Sequence, residues 1–300
     1  MIQPLLVTAF LLALGVGTIE KIPVVGTWLI AKDFVSVLGQ SDPENWHKAG
    51  LSPLKLTLDL GSGVTTQGLF VGVPSGAKGT VILLHGYKNC MDVTAGFARH
   101  LHDNGFNVIA FDQRGHGKNS DPFCSFGYYE KQDVSKVIDI LTANGLSRGP
   151  FFVLGTSMGA AVGIQAMEAD SRIQGGVFDS SFSTLNAMAD KKLKEYGLTK
   201  IHEIMDQAEG ITKAPLEDVS PVASISRIDR PVLVLHGKAD SFIPVESAIQ
   251  LHQACHSQRN EILLVDDANH GQVLCDGEPW SNKVWHQVIE FINLTTKNNT

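Results

Sequence analysis

Six short, mostly apolar runs recur along the chain, at 80–84, 107–111, 151–154, 175–178, 231–235 and 261–265, each rich in Val, Ile, Leu or Phe. Runs of this length without polar alternation predict strands buried on both faces of a parallel sheet. Between and after them the apolar spacing changes to a helical period, over 93–104, 130–144, 157–169, 245–254 and 280–293. A different rhythm precedes them. Residues 54–60 (LKLTLDL) alternate apolar and polar, 61–63 turn and 65–73 return, which predicts an antiparallel hairpin. Strand and helix in regular alternation, entered through a hairpin, give an α/β fold class: a doubly wound sheet with helices on both faces. The stretch 181–230 is too long for a simple connection and carries helical patterns of its own at 184–196 and 201–208, so it reads as an inserted helical cap.

Two more apolar stretches stand ahead of the hairpin. Residues 5–17 (LLVTAFLLALGVG) are almost wholly apolar, and 22–31 continue the run after Glu20 and Lys21. A membrane anchor, a cleaved secretory signal and a helix packed on the main domain are all open. A span needs roughly 20 apolar residues, and a signal would carry Lys or Arg ahead of its apolar core, where this chain has neither. The expectation is a membrane-associated or exported protein. Residues 40–50 (QSDPENWHKAG) are polar and rich in turn formers. The expected organisation is therefore an anchor or signal segment over 1–35, a linker over 36–50, and the main domain over 51–295 with its cap at about 181–228.

Composition narrows the chemistry. At 300 residues, 43% hydrophobic and 18% charged, the chain can bury a full core. A net charge of -7 without any basic block argues against a nucleic-acid partner. The cysteines, Cys90, Cys124, Cys255 and Cys275, contain no CxxC pair, so neither a zinc ribbon nor a thioredoxin-type motif is indicated. Their even number permits two disulfides in an oxidising compartment. His252, Cys255 and His256 share a helical spacing and His100 and His102 flank Leu101, but no further ligand converges on either set and no metal is expected.

Residues 155–159 read GTSMG, a GxSxG string directly after the apolar strand FFVL and directly before the small-residue helix AAVGIQAMEA. In that setting the serine projects from the carboxyl edge of the sheet, and the glycines leave room for strand and helix to approach. Ser157 is the candidate nucleophile. A serine hydroxyl needs a base, and His270, in the loop after the last predicted strand (LLVDDANHG), can return over the same edge. His85, His116 and His236 lie in HG pairs and are expected to bond locally. The acid that orients the base should leave another strand between serine and histidine in chain order. Asp240, after PVLVLHG, meets this; Asp179 is the rival one strand earlier, and Asp266 and Asp267 stand too close in sequence to His270. Acyl transfer also asks for backbone N–H donors to a developing oxyanion. Met158 and, in VILLHGYKN, Tyr87 behind Gly86 are the candidates, the Tyr87 phenol being a further option.

Taken in order, HGY, FDQRGHG, GTSMG, DVSP from Asp218, PVLVLHGKAD and NHG resemble the α/β-hydrolase superfamily, and within it the serine-aminopeptidase-like and small-esterase branch. The resemblance implies a mostly parallel eight-stranded sheet, a cap after the sixth strand, no cofactor, and the roles assigned above to Ser157, Asp240, His270, Met158 and Tyr87. It also implies that Asp112, Arg114, Gly115, His116 and Gly117 are chiefly architectural. The expected activity is hydrolysis of small-molecule esters through an acyl enzyme. Aminopeptidase, thioesterase and lysophospholipase activities would use the same three residues, and a non-catalytic scaffold recruited to a membrane is the alternative of another class. Apolar cap residues Leu185, Met188, Tyr196, Leu198, Ile204 and Met205 favour an uncharged acyl or alcohol group, whereas an aminopeptidase would need a free carboxylate such as Glu195, Glu203 or Asp206.

Overall fold

The computed structural model describes residues 24–36, 44–147, 149–195, 197–198 and 200–297. Helix α1 (Val24–Val35) and the short α2 (Glu44–Lys48) precede the hairpin β1 (Leu54–Gly61) and β2 (Val64–Val71). There follow β3 (Thr80–Leu84), α3 (Ala95–Asp103), β4 (Asn107–Phe111), α4 (Glu130–Ala143), β5 (Phe151–Thr156), α5 (Met158–Ala169) and β6 (Ile173–Asp179). The cap helices α6 (Leu185–Glu195) and α7 (Ile201–Thr212), with the short α8 (Pro221–Ile225), fill the connection to β7 (Val232–Gly237). Helix α9 (Glu246–Ala254), β8 (Asn260–Val265) and α10 (Ser281–Lys297) complete the fold.

The eight strands form one sheet in the order β1-β2-β4-β3-β5-β6-β7-β8. Strand β2 is antiparallel to β1 and to β4, and every pairing from β4 onward is parallel. Alternate residues divide between two cores. Ile82, Leu84, Phe151 and Val153 enter the larger one with α4, α5 and the cap; Val81, Leu83, Phe152 and Leu154 enter the other with α3 and α10. With helices over both faces, no position of β3 or β4 is left for a polar side chain to reach water, which is why these strands read as apolar runs after their first residues, Thr80 and Asn107. Strand β8 departs from the expectation of two-sided burial: all six of its residues are only half-buried, because it pairs with β7 alone at the sheet edge.

The described part of the second apolar stretch, helix α1, is used inside the molecule. Thr27, Ala31 and Val35, at spacing i, i+4, i+8, form a fully buried face of α1. Helix α1 packs on cap helix α7, where Thr27 Oγ1 donates to Glu203 Oε1 at 3.0 Å and accepts from Gln207 Nε2 at 3.0 Å. This corrects the expectation of a membrane-associated or exported protein: among the described residues no helix is long and apolar enough to cross a membrane. Residues 5–17 lie outside the described residues. In the polar stretch after α1, helix α2 buries Trp46 completely, with its indole N–H directed at Met91 O.

Two glycines predict opposite responses to an added methyl group. A Cβ on Gly159 would stand 2.2 Å from Leu84 O, backbone that cannot yield, so Gly159→Ala is expected to lower the melting temperature by about 5 °C or more. A Cβ on Gly210, inside α7, would meet nothing within 4 Å, and Gly210→Ala is expected to stabilise the protein by about 0.5–1 kcal/mol. Thermal melts of both variants check the pair. A tolerated Gly159→Ala would refute the close strand–helix approach.

Candidate active site

Ser157 occupies the turn from β5 into α5 with φ 56 and ψ -119, a backbone conformation that costs a non-glycine residue of order 1–3 kcal/mol. Its surroundings hold it there. The Ser157 N–H donates to Asp179 O at 2.8 Å, and its carbonyl accepts from the N–H groups of Ala160 and Ala161 at 3.0 and 3.1 Å. The flanking glycines are steric requirements: a Cβ on Gly155 would overlap Gly159 O at 2.3 Å, and one on Gly159 would strike β3.

Asp240 follows β7 in a tight turn whose N–H groups, from Phe242 and Ile243, both donate to its Oδ1 at 2.8 Å. Its Oδ2 lies 2.7 Å from His270 Nδ1, and His270 Nε2 lies 2.9 Å from Ser157 Oγ. A carboxylate only accepts, so Nδ1 carries the ring proton and Nε2 accepts from the Ser157 hydroxyl. Burial pushes the Asp240 carboxyl up, but the His270 bond and charge with the two turn amides outweigh it and hold the group below its usual range. The Phe242 ring covers the imidazole at 4.9 Å between centroids, and the Lys192 ammonium of the cap stands 4.2 Å from that phenyl ring. Serine, imidazole and carboxylate thus lie in one line at the carboxyl edge of β5, β7 and β8.

The family model described as Serine aminopeptidase, S33 matches residues 75–214. The esterase Pf2001 of Pyrococcus furiosus superposes with a TM-score of 0.69 at 23% identity, covering 87% of this chain and 98% of the esterase. The chain has the α/β-hydrolase fold and is similar to that superfamily. Curated relatives of this chain include the Bacillus subtilis uncharacterized protein YqkD, 26% identical over 75% of each chain. The Xenopus laevis monoacylglycerol lipase abhd6-B is 27% identical, over 56% of this chain and 50% of the lipase.

The loop after β3 passes over Ser157: a Cβ on Gly86 would stand 3.4 Å from Ser157 Cβ. Tyr87 follows it. Met158 opens α5, where the first N–H groups of a helix lack intrahelical acceptors. The Tyr87 phenol is not aimed at the serine, since its hydroxyl donates to Phe34 O at 2.7 Å and lies 3.2 Å from Asp33 O.

The other candidates have local partners. Asp112 accepts from the N–H groups of Met91 and Lys118, both at 2.9 Å, and Gly117, at φ 53, passes so close that a Cβ would overlap that carboxyl. Arg114 forks onto Asp133 at 2.7 and 2.9 Å and reaches Asp121 at 2.9 Å. Burial lowers His85 to about 4 and His116 to about 3, so both are neutral near pH 7. Asp266 and Asp267 are exposed. The four cysteines form no disulfide, and burial raises all four thiols. Among the described residues no group of three or more His, Cys, Asp and Glu side chains could hold a metal ion.

Asp179 was legible only as a rival acid. It is a buried carboxyl whose Oδ1 accepts from Ser180 Oγ at 2.9 Å, while Ser180 Oγ accepts from the Gly271 N–H at 3.2 Å. Its Oδ2 has no hydrogen-bond partner among the described residues. Burial raises Asp179 from 3.8 to about 7, with His270 drawing it down and Asp240 pushing it up. Between those values the folded chain retains a proton that the unfolded chain has released, so stability falls as pH rises from about 4 through about 7. Asp179→Asn removes that loss. The melting temperature of Asp179→Asn minus that of wild type is expected to be more positive at pH 8 than at pH 4.5, and a pH-independent difference would contradict the assignment.

Proposed function

We propose that this protein is a serine hydrolase that cleaves carboxylic esters of short to medium acyl chain through an acyl enzyme. The observation that carries the reading is the unbroken line from Ser157 Oγ to His270 Nε2, 2.9 Å, and from His270 Nδ1 to Asp240 Oδ2, 2.7 Å. Ser157 attacks the ester carbonyl while His270 takes its proton, and the resulting imidazolium faces a carboxylate held ionised at Asp240. The oxyanion is received by the N–H groups of Met158 and Tyr87. His270 then protonates the departing alcohol, and a water activated by the same imidazole releases the acid. The residues that act on the substrate all lie within 51–295, with the cap at 181–228 closing over the site.

Cap chemistry supports an ester over an aminoacyl substrate. Capture of a substrate ammonium needs an unengaged carboxylate, and the cap carboxylates considered for it are bonded or exposed. Glu195 is paired with Lys191 at 2.6 Å and Lys192 at 2.7 Å, Glu203 with Thr27 at 3.0 Å and Lys200 at 3.2 Å, and Asp206 is exposed. Leu185, Leu198, Ile204 and Met205 are buried in the larger core, where they fasten the cap to the sheet, and Tyr196 lies outside the described residues.

A panel of p-nitrophenyl esters of graded chain length, beside aminoacyl p-nitroanilides, tests the reading. The expected outcome is a higher kcat/KM on the esters and a loss of about 10⁴-fold or more in kcat for Ser157→Ala. Preferential turnover of the anilides would overturn the ester assignment.

A further inference from the structure

The end of α1 is accounted for bond by bond. A helix leaves its last four carbonyls without intrahelical partners. Here Lys32 O accepts from the Ser36 N–H at 2.8 Å, and Val35 O from the Cys124 N–H at 2.9 Å. The two carbonyls between them, Asp33 O and Phe34 O, lie 3.2 and 2.7 Å from one side-chain donor, the Tyr87 hydroxyl. Tyr87 belongs to the loop that crosses Ser157, so α1 ends on the active-site loop.

The same loop is pinned from its other side. Lys88 stands at φ 59, and its N–H donates to His116 Nε2 at 3.1 Å. The Asn89 N–H closes the turn onto Gly86 O at 3.2 Å. The Tyr87 ring packs 5.6 Å from Phe126, which stacks on Phe34 of α1 at 5.0 Å, and Lys88 Nζ reaches Asp33 Oδ2 at 3.7 Å. Burial, with the nearby Asp33 carboxylate, raises the phenol well above its ordinary value, so it acts as a neutral donor. The amide proposed to receive the oxyanion is therefore fixed through its own side chain.

We propose that Tyr87 is a positioning residue: its hydroxyl, anchored on the last carbonyls of α1, holds its own backbone N–H where the oxyanion forms, which makes the N-terminal helix part of the catalytic apparatus. The inference rests on the ester hydrolase reading above. Removing an oxyanion donor outright costs about 10²–10³ in kcat, and a donor displaced rather than deleted loses less. Because the donor acts on the transition state and not on the bound ester, the loss falls on kcat rather than KM.

Tyr87→Phe deletes only the hydroxyl and is read by ester kinetics and thermal melting. The expected result is a fall of about tenfold in kcat with KM within about twofold. Installing 4-aminophenylalanine at position 87, which restores an N–H donor to the α1 carbonyls, is expected to recover most of that kcat. Should Tyr87→Phe not fold, 4-methylphenylalanine keeps the bulk of the phenol without its donor and is compared with the 4-amino variant in its place. A donor-free variant that melts lower but keeps wild-type kcat shows a purely structural tyrosine and overturns this inference alone. Ester turnover that survives Ser157→Ala overturns this inference together with the reading on which it rests.

Discussion

The tightest constraint in the molecule is the turn from β5 into α5, where the chain must leave a buried strand, present a side chain at the sheet edge and enter a helix within a single residue. Ser157 does so at φ 56, with Gly155 and Gly159 packed so closely that neither could carry a methyl group without meeting backbone. The strain is held because the turn is bonded to its neighbours, its N–H to the end of β6 and its carbonyl to the first turn of α5. The helix then lies close over the sheet: a Cβ on Gly163 would stand 2.7 Å from Val153 Cγ1. Core packing and the exposure of one hydroxyl are therefore the same geometric fact.

Around that turn, burial sorts groups of one chemical kind into different tasks. His85, His116 and His236 are all lowered by desolvation, and each donates one ring N–H to a nearby carbonyl, of Gly86, Arg114 and Ile243 respectively. They are neutral wedges that brace loops. His270 is the histidine among these with a carboxylate on one nitrogen and a hydroxyl on the other. The carboxyls divide likewise. Asp240 is surrounded by donors and is held below its usual range, while Asp179, beside it on the neighbouring strand, has one oxygen without a hydrogen-bond partner among the described residues and is pushed up to about 7. Hydrogen bonds to the charged form, set against desolvation, decide which carboxyl carries charge near pH 7.

Much of this was legible in the amino-acid sequence because two-sided burial writes a strong signal. The runs at 80–84 and 107–111 coincide with β3 and β4, and the change to helical period marks α4 and α9 to within a residue. Ser157, His270 and Asp240 could be placed at one edge because parallel strands all point their carboxyl ends the same way, so chain order and strand ends suffice. The reading weakened where the signal came from elsewhere in the fold. An apolar stretch of membrane-like composition in the first 35 residues carries no mark that its described part is a 12-residue helix seated on the cap. Nothing local to Tyr87 announces that its hydroxyl meets carbonyls more than fifty residues earlier, at Asp33 and Phe34. Helix α8 spans only five residues, too few to develop a period, and Asp179 owes its raised proton affinity to a neighbourhood that no single segment encodes.

The central claim is that Ser157 is a nucleophile because His270 and Asp240 make it one. The direct measurement is the rate of phosphonylation by a fluorophosphonate, followed by intact mass and located by peptide mapping, in wild type and in Asp240→Asn. The expected result is a single adduct on Ser157 that forms about 10³-fold or more slowly in Asp240→Asn, whose amide imposes the wrong imidazole tautomer. Equal rates in the two proteins, or an adduct on another residue, would contradict the claim.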